Sequence, residues 1–220
     1  MKVNILLFMV VFMSYLNLHG QPSRPEVDLK TFVTREYIHG LPYDEAKLYG
    51  VTAVPALLLM LNNPDFERFW GNIVAAIGYI GNPSATKPLL EFIQSQEGEI
   101  SVDRFRAVLS AFQALGHIAQ SGDRLALTEL ANYNNLNSWK EKKLAFSYGI
   151  YKREALSEVL SRQAIQGLGI SGRPEAYRIL SEMSKRKDLR KDWIDNVNDA
   201  MSLNEKVKMY GARKLFGKEI

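Results

Sequence analysis

The stretch Gly167-Leu168-Gly169-Ile170-Ser171-Gly172 has the Gly-x-Gly-x-x-Gly spacing that lets a backbone approach a pyrophosphate. Dinucleotide chemistry needs that loop after a strand and before a helix. Here it closes a helical stretch instead. It also aligns with two other turns, Ala76-Ile77-Gly78-Tyr79-Ile80-Gly81 and Ala114-Leu115-Gly116-His117-Ile118-Ala119. A packing role therefore outranks a nucleotide site. Thiol chemistry, disulfides and cysteine metal sites are excluded because the chain has no cysteine. Its three histidines, His19, His39 and His117, form no His-x-x-x-His or Glu-x-x-His pattern. His117 holds the turn position of Tyr79 and Ile170, which points to packing. Asp44 and Glu45 follow Pro42 at a helix start, where two carboxylates complement the helix dipole. Neither has a partner carboxylate for acid–base work, and no Gly-x-Ser-x-Gly elbow is present. No catalytic, cofactor-binding or metal-ligating residue is assigned, and no cofactor is expected.

The three aligned turns carry more information as a repeat. Eleven residues after the central glycine comes Leu89, Leu127 or Leu180, and three residues later Phe92, Leu130 or Met183. Fixed offsets of this kind mark stacked helix pairs. The pairs read as Tyr43–Tyr49 with Thr52–Leu61, Asp65–Ile80 with Ser84–Gln94, Val102–Gln120 with Asp123–Tyr133, and Glu154–Ser171 with Pro174–Lys187. Leu189 to Phe216 reads as a helical C-terminal cap, and Asp28 to Leu41 as a cap at the other end. No strand is expected. The glycine spacing is 38 residues from Gly78 to Gly116 but 53 from Gly116 to Gly169. An insert at about 134–153 accounts for the difference, either on a binding face or filling a packing defect.

The N-terminus bears on the compartment. Met1-Lys2 precedes a mostly apolar run to Leu18, then Gly20 and a polar, proline-containing stretch, Gln21 to Pro25. That order predicts a secretory signal peptide over 1–20, a linker over 21–30 and a folded domain over 31–220. An uncleaved anchor is the alternative, although the run is shorter than the ~20 apolar residues a spanning helix needs. A buried core helix is the third reading. The chain is expected to be exported, periplasmic or secreted. Bacterial origin is favoured, since no Asn-x-Ser/Thr acceptor exists beyond the proline-spoiled Asn82-Pro83-Ser84.

Ala53-Val54-Pro55-Ala56-Leu57-Leu58, Ala85-Thr86-Lys87-Pro88-Leu89-Leu90 and Ala76 to Pro83 resemble HEAT repeats. The Ala-x-Gly-x-x-Gly-(Asn/Asp)-Pro form is similar to the HEAT-like repeats of the phycobiliprotein-lyase type. The resemblance covers about Tyr43 to Lys187, with a short first repeat and an insert before the fourth. It implies an all-α fold, an α-solenoid or armadillo-like superhelix of about four helix pairs. It says little about activity, because such arrays host scaffolds, lyases and nucleic-acid proteins.

Charge is uneven. Residues 21–151 carry 12 basic and 14 acidic side chains, and residues 152–220 carry 15 and 10. The run Lys185-Arg186-Lys187-Asp188-Leu189-Arg190-Lys191 suits weak contact with an anionic surface, or simply a solvated helix end. Export argues against nucleic acid. The expected function is a non-enzymatic protein-binding module whose second helices line a concave surface. The residues expected to meet a protein partner are Trp139, Tyr133, Arg124, Arg178, Glu182 and Lys185. The alternative is a small-ligand or chromophore-type carrier or lyase with a pocket near the insert. The sequence leaves the oligomeric state open.

Overall fold

The computed structural model describes residues 24–134, 139, 144–151 and 153–217. The expected signal segment and residues 135–138, 140–143 and 152 of the insert lie outside the described residues. What is described is predominantly helical, so the all-α class holds. The helices are α1 (Leu29–Val33), α2 (Tyr43–Leu48), α3 (Val54–Leu61), α4 (Trp70–Ile80), α5 (Thr86–Gln94) and α6 (Val102–Gln120). They continue with α7 (Arg124–Tyr133), α8 (Arg153–Ile170), α9 (Pro174–Ser184), α10 (Lys191–Tyr210) and α11 (Ala212–Phe216).

Local chemistry explains where these helices begin and end. The Ser101 hydroxyl accepts the Arg104 N–H at 3.1 Å and starts α6. Asp123 starts α7 by accepting the Leu125 N–H at 2.8 Å, and its other oxygen accepts the Thr86 hydroxyl at 2.5 Å. One carboxylate thus caps a helix and ties it to the start of α5. Asn63 and Asn82 each precede a proline and accept the N–H two residues on. These turns open as short 3₁₀ segments, Pro64–Phe69 and Pro83–Ala85. The helix expected from Asp65 therefore becomes α-helical only at Trp70, whose indole N–H donates to the carbonyls of Met60 and Asn63. The expected C-terminal helical region breaks at Gly211, where φ is +80°.

The helices form two layers. In the first, α2 packs on α4, α4 on α6, α6 on α8, and α8 on α10. In the second, α3 packs on α4, α5 on α6, α7 on α6 and α8, and α9 on α8 and α10. The core runs between the layers. Ile73, Ile77, Phe112, Leu115, Ile118, Leu89 and Leu130 are fully buried. Each contributes about 1.5–3 kcal/mol of transfer free energy. Leu89 and Leu180 of the repeated leucine position are buried, whereas Leu127 lies at the surface of the second layer, half-buried.

A short parallel pair corrects the expectation of no strand. β1 (Gly98–Glu99) pairs with β2 (Phe146–Ser147). The insert returns to the α5–α6 connection, and its backbone groups are satisfied there. The Gly98 N–H donates to Ala145 and the Ile100 N–H to Ser147. The Glu99 carboxylate accepts the Ser147 hydroxyl and the Gly149 N–H, each at 2.6 Å. Tyr148 stacks on Phe105 with ring centres 4.1 Å apart.

The first-layer contacts rest on small residues. A Cβ built on Gly78 would lie 2.5 Å from the Ala114 Cα. On Gly116 it would lie 2.5 Å from the Gly167 carbonyl oxygen, and on Gly169 2.8 Å from that of Ala200. Each glycine therefore meets the small residue two positions before the matching site of the next helix. Substituting alanine at Gly116 should destabilise the fold by about 1–3 kcal/mol, despite the better helix propensity of alanine. Gly71, in α4, has open space around its would-be Cβ. Gly71→Ala should leave stability unchanged or raise it, by up to about 1 kcal/mol. Thermal melts should show a lower midpoint for Gly116→Ala and an equal or higher one for Gly71→Ala. Equal shifts would show that the glycines act through backbone entropy and not through close approach.

Candidate functional site

Helices α7 and α9 are successive second-layer helices, and they do not close upon each other. Between them lies a groove of about 380 Å³. Its floor is apolar, from Leu127, Ala131 and Ile179. Arg124, Thr128 and Asn132 line its α7 side, at a four-residue spacing that puts them on one helix face. Arg173 and Glu175 close one end at the start of α9. Their side chains approach to 3.5 Å. The backbone N–H at Glu175 and the charges of Arg173 and Arg178 hold the Glu175 carboxyl below its usual range. Arg124 is exposed and makes no ion pair among the described residues. The groove thus offers an apolar floor, neutral hydrogen-bonding groups and an exposed guanidinium, Arg124, beside the Asp123 carboxylate that also lines it.

The expected partner residues fall into three groups. Arg124 lines the groove. Arg178, Glu182 and Lys185 are exposed on or just beyond α9, outside the groove lining. Trp139 and Tyr133, expected as surface anchors, are a correction, because the side chains are 3% and 0% exposed. The reason is that the insert brings Trp139 back over the core. Its indole N–H donates to the Tyr133 carbonyl at 3.1 Å and the Ser161 hydroxyl at 2.9 Å. The Tyr133 hydroxyl accepts from Gln94 at 2.7 Å. Tyr133, Trp139 and Phe112 pack ring against ring, with centres 4.6 to 6.0 Å apart. The insert therefore serves packing at this point. The cavity beside it holds about 30 Å³, space for a water molecule.

The two arginines of the basic run after α9 are paired by their surroundings. Arg186 pairs with Asp188 at 2.6 Å. Arg190 and Arg162 both reach Glu158 and Asp192, fastening α8 to the start of α10. The Arg190 hydrogen bond, with that of Arg162, holds the Asp192 carboxyl well below the usual carboxylate range. Lys185, Lys187 and Lys191 remain exposed.

A second cluster escaped the sequence reading. The side chains of Tyr43, Tyr79, His117 and Phe216 meet at the C-terminal ends of α4 and α6. His117 does pack, as its turn position suggested, and is 5% exposed. Its Nδ1 is buried without a hydrogen-bond partner. Burial, reinforced by the Lys47 ammonium, pushes its pKa down to about 3. The signal available in the sequence was the glycine at 211, which separates a short aromatic-ended segment from a long helix.

Replacing Trp139 by alanine should cost about 3–5 kcal/mol, as for other buried large-to-small changes. Ser161→Ala, which leaves the indole N–H its bond to Tyr133, should cost about 1 kcal/mol. Urea denaturation of both variants checks the ranking. Near-wild-type stability of Trp139→Ala would put this side chain at the surface.

Comparison of the chain with protein-family models, with curated proteins and with solved structures finds no match.

Proposed function

We propose that this protein is a non-enzymatic binding module. It is read as a HEAT-like α-solenoid whose second helices receive an extended segment of a protein partner. The observation that carries this reading is the open groove between α7 and α9, with its apolar floor and the exposed Arg124. Helix α7, of 10 residues, is about 15 Å long. That length matches four or five residues of extended chain at roughly 3.3 Å each. Alternate side chains of such a segment would reach Leu127 and Ile179, and Thr128 and Asn132 would meet its backbone. Arg124 favours an acidic residue at one end.

The first helices, drawn together at their glycines, form the inner side of the bend in this reading. The second helices part on the outer side, where the groove opens. The concave second-helix face expected from the sequence is given up on that ground. For the carrier or lyase alternative, the cavity formed by the described residues beside Trp139 holds about 30 Å³, whereas ligand pockets run to several hundred. Export continues to rest on the apolar run before Gly20.

A peptide array of short extended sequences, with and without an acidic end residue, tests the proposal. Arg124→Glu combined with Ile179→Asp should reduce capture of acidic-ended, apolar peptides at least tenfold, with circular dichroism unchanged. Binding through Arg124 should also weaken with salt, because exposed charges are screened within about 8–10 Å. Charge reversal at Arg178 and Lys185, outside the groove, should change capture far less. Selective loss in that second variant instead would move the interface to the outer face of α9.

A further inference from the structure

Helix α10 ends at Gly211, in a left-handed conformation with nothing near its would-be Cβ. Beyond it, the five-residue α11 runs back across the ends of the first-layer helices to α2. Little fastens it. Ala212 is buried, Arg213 pairs with Asp44 at 3.0 Å, and the Phe216 ring rests on His117 and Tyr43 with centres 4.9 and 6.3 Å apart. The Arg213 side chain is 77% exposed, so this ion pair is a weak one. Three walls enclose His117. Tyr43 and Lys47 come from α2, Tyr79 from α4, and Phe216 from α11. Helix α8 meets this part of α6 through Gly167 and Ile170, which carry no charge. The remaining charges nearby, Asp44 and Arg213, are engaged with each other.

We propose that the segment Ala212–Phe216 is a releasable latch, and that proton uptake by His117 opens it. The walls made by α2 and α4 belong to the helix row, and Gly78 locks α4 against α6. Gly40 and Gly50, also at positive φ, flank α2, but α2 packs along α4, whereas α11 follows its hinge Gly211 at one end and packs chiefly through Ala212 and Phe216. An imidazolium cannot be accommodated while it is shut. Its Nδ1 has no acceptor, the surrounding rings exclude water, and Lys47 adds a like charge. Lifting Phe216 lets water reach the ring and exposes an aromatic recess of Tyr43, Tyr79 and His117, with Asp44 freed beside it.

The sign follows from linkage. His117 binds its proton more weakly when the latch is shut, so acid favours the open state. The shut state is fully favoured above the ordinary histidine range. It loses ground as pH falls through about 6.5, the value of a freely hydrated imidazole. If opening hydrates the ring completely, the open-to-shut ratio at pH 5 rises about 30-fold over that at pH 7.5.

The chain contains no cysteine, so Lys214→Cys in the full chain gives one spin-label site on the latch. The label should be immobile at pH 7.5 and gain a mobile population at pH 5, with far-ultraviolet circular dichroism unchanged. In a His117→Gln background, which takes up no proton, the label should stay immobile at both pH values. Phe216→Ala should be mobile at both, and an NMR titration of that variant should place His117 near 6. Several results would overturn the latch. One is a label equally immobile at pH 5 and 7.5. Another is an acid response that persists in His117→Gln, and a third is mobility that appears only together with loss of helix. If His117→Gln fails to fold, the titration of Phe216→Ala still decides. A His117 that stays neutral below pH 4 after loss of the ring shows that Phe216 is not what shuts it in.

Discussion

Backbone-to-backbone contact between first-layer helices is the constraint on which the other features depend. Gly78, Gly116, Gly167 and Gly169 all lie inside helices, where each costs about 1 kcal/mol against alanine. They are retained because no side chain fits. Added Cβ atoms would fall 2.5 to 2.8 Å from atoms of a neighbouring helix. The register repeats. Gly78 meets Ala114, Gly116 meets Gly167, and Gly169 meets Ala200. Each partner precedes the next turn site by two, which places Ser202 at the glycine position of α10. Helix α10 is therefore a further member of the first layer, as well as the lid over the last pair.

Close approach in one layer has a consequence in the other. Among the second-layer helices, α7 and α9 each sit between successive first-layer helices. Between α7 and α9 the space is left open, and apolar side chains of both helices reach its floor. The insert lies between the third and fourth pairs in sequence, and its Trp139 fills the space beside Phe112 and Tyr133. Trp139 thus supports the packing of α6, α7 and α8.

The sequence disclosed the helical class, the third pair to within a residue, and the packing glycines. Those features follow from local rules, namely period, caps and turn residues. The burial of Trp139 was not legible. Its neighbours Asn137, Ser138 and Lys140 are polar, and the partners that bury it, Ser161 and Phe112, lie more than twenty residues away. Nor was the latch. Arg213 and Phe216 read as ordinary residues of an amphipathic end until Asp44 and His117 are placed under them. The pairing within the basic run was not legible either, since Glu158, which reaches Arg190, lies thirty-two residues before it. The exposure of Arg124 was legible because a solvent-facing helix face is written in four-residue spacing.

The ends of the row are finished differently. Helix α10 turns Asp195, Asn198, Asp199, Ser202 and Glu205 to solvent, a polar face suited to a terminus. At the other end, Val51 and Leu59 are 57% and 73% exposed. The latch joins these unlike ends, for it leaves α10 and lands on α2. Most first-layer contacts join helices that are neighbours in the chain order of the row. The contact between Asp44 and Arg213 spans nearly the whole folded chain. A contact of that span bears the largest loop-closure entropy and has the least local support. It is therefore among the contacts that part at least cost to the row. Low-stability elements of this kind are where proteins place their moving parts. A hinge glycine, a weak ion pair and one aromatic ring over a neutral histidine supply what such an element needs. The glycine-locked row supplies the rigid surface against which its movement has meaning.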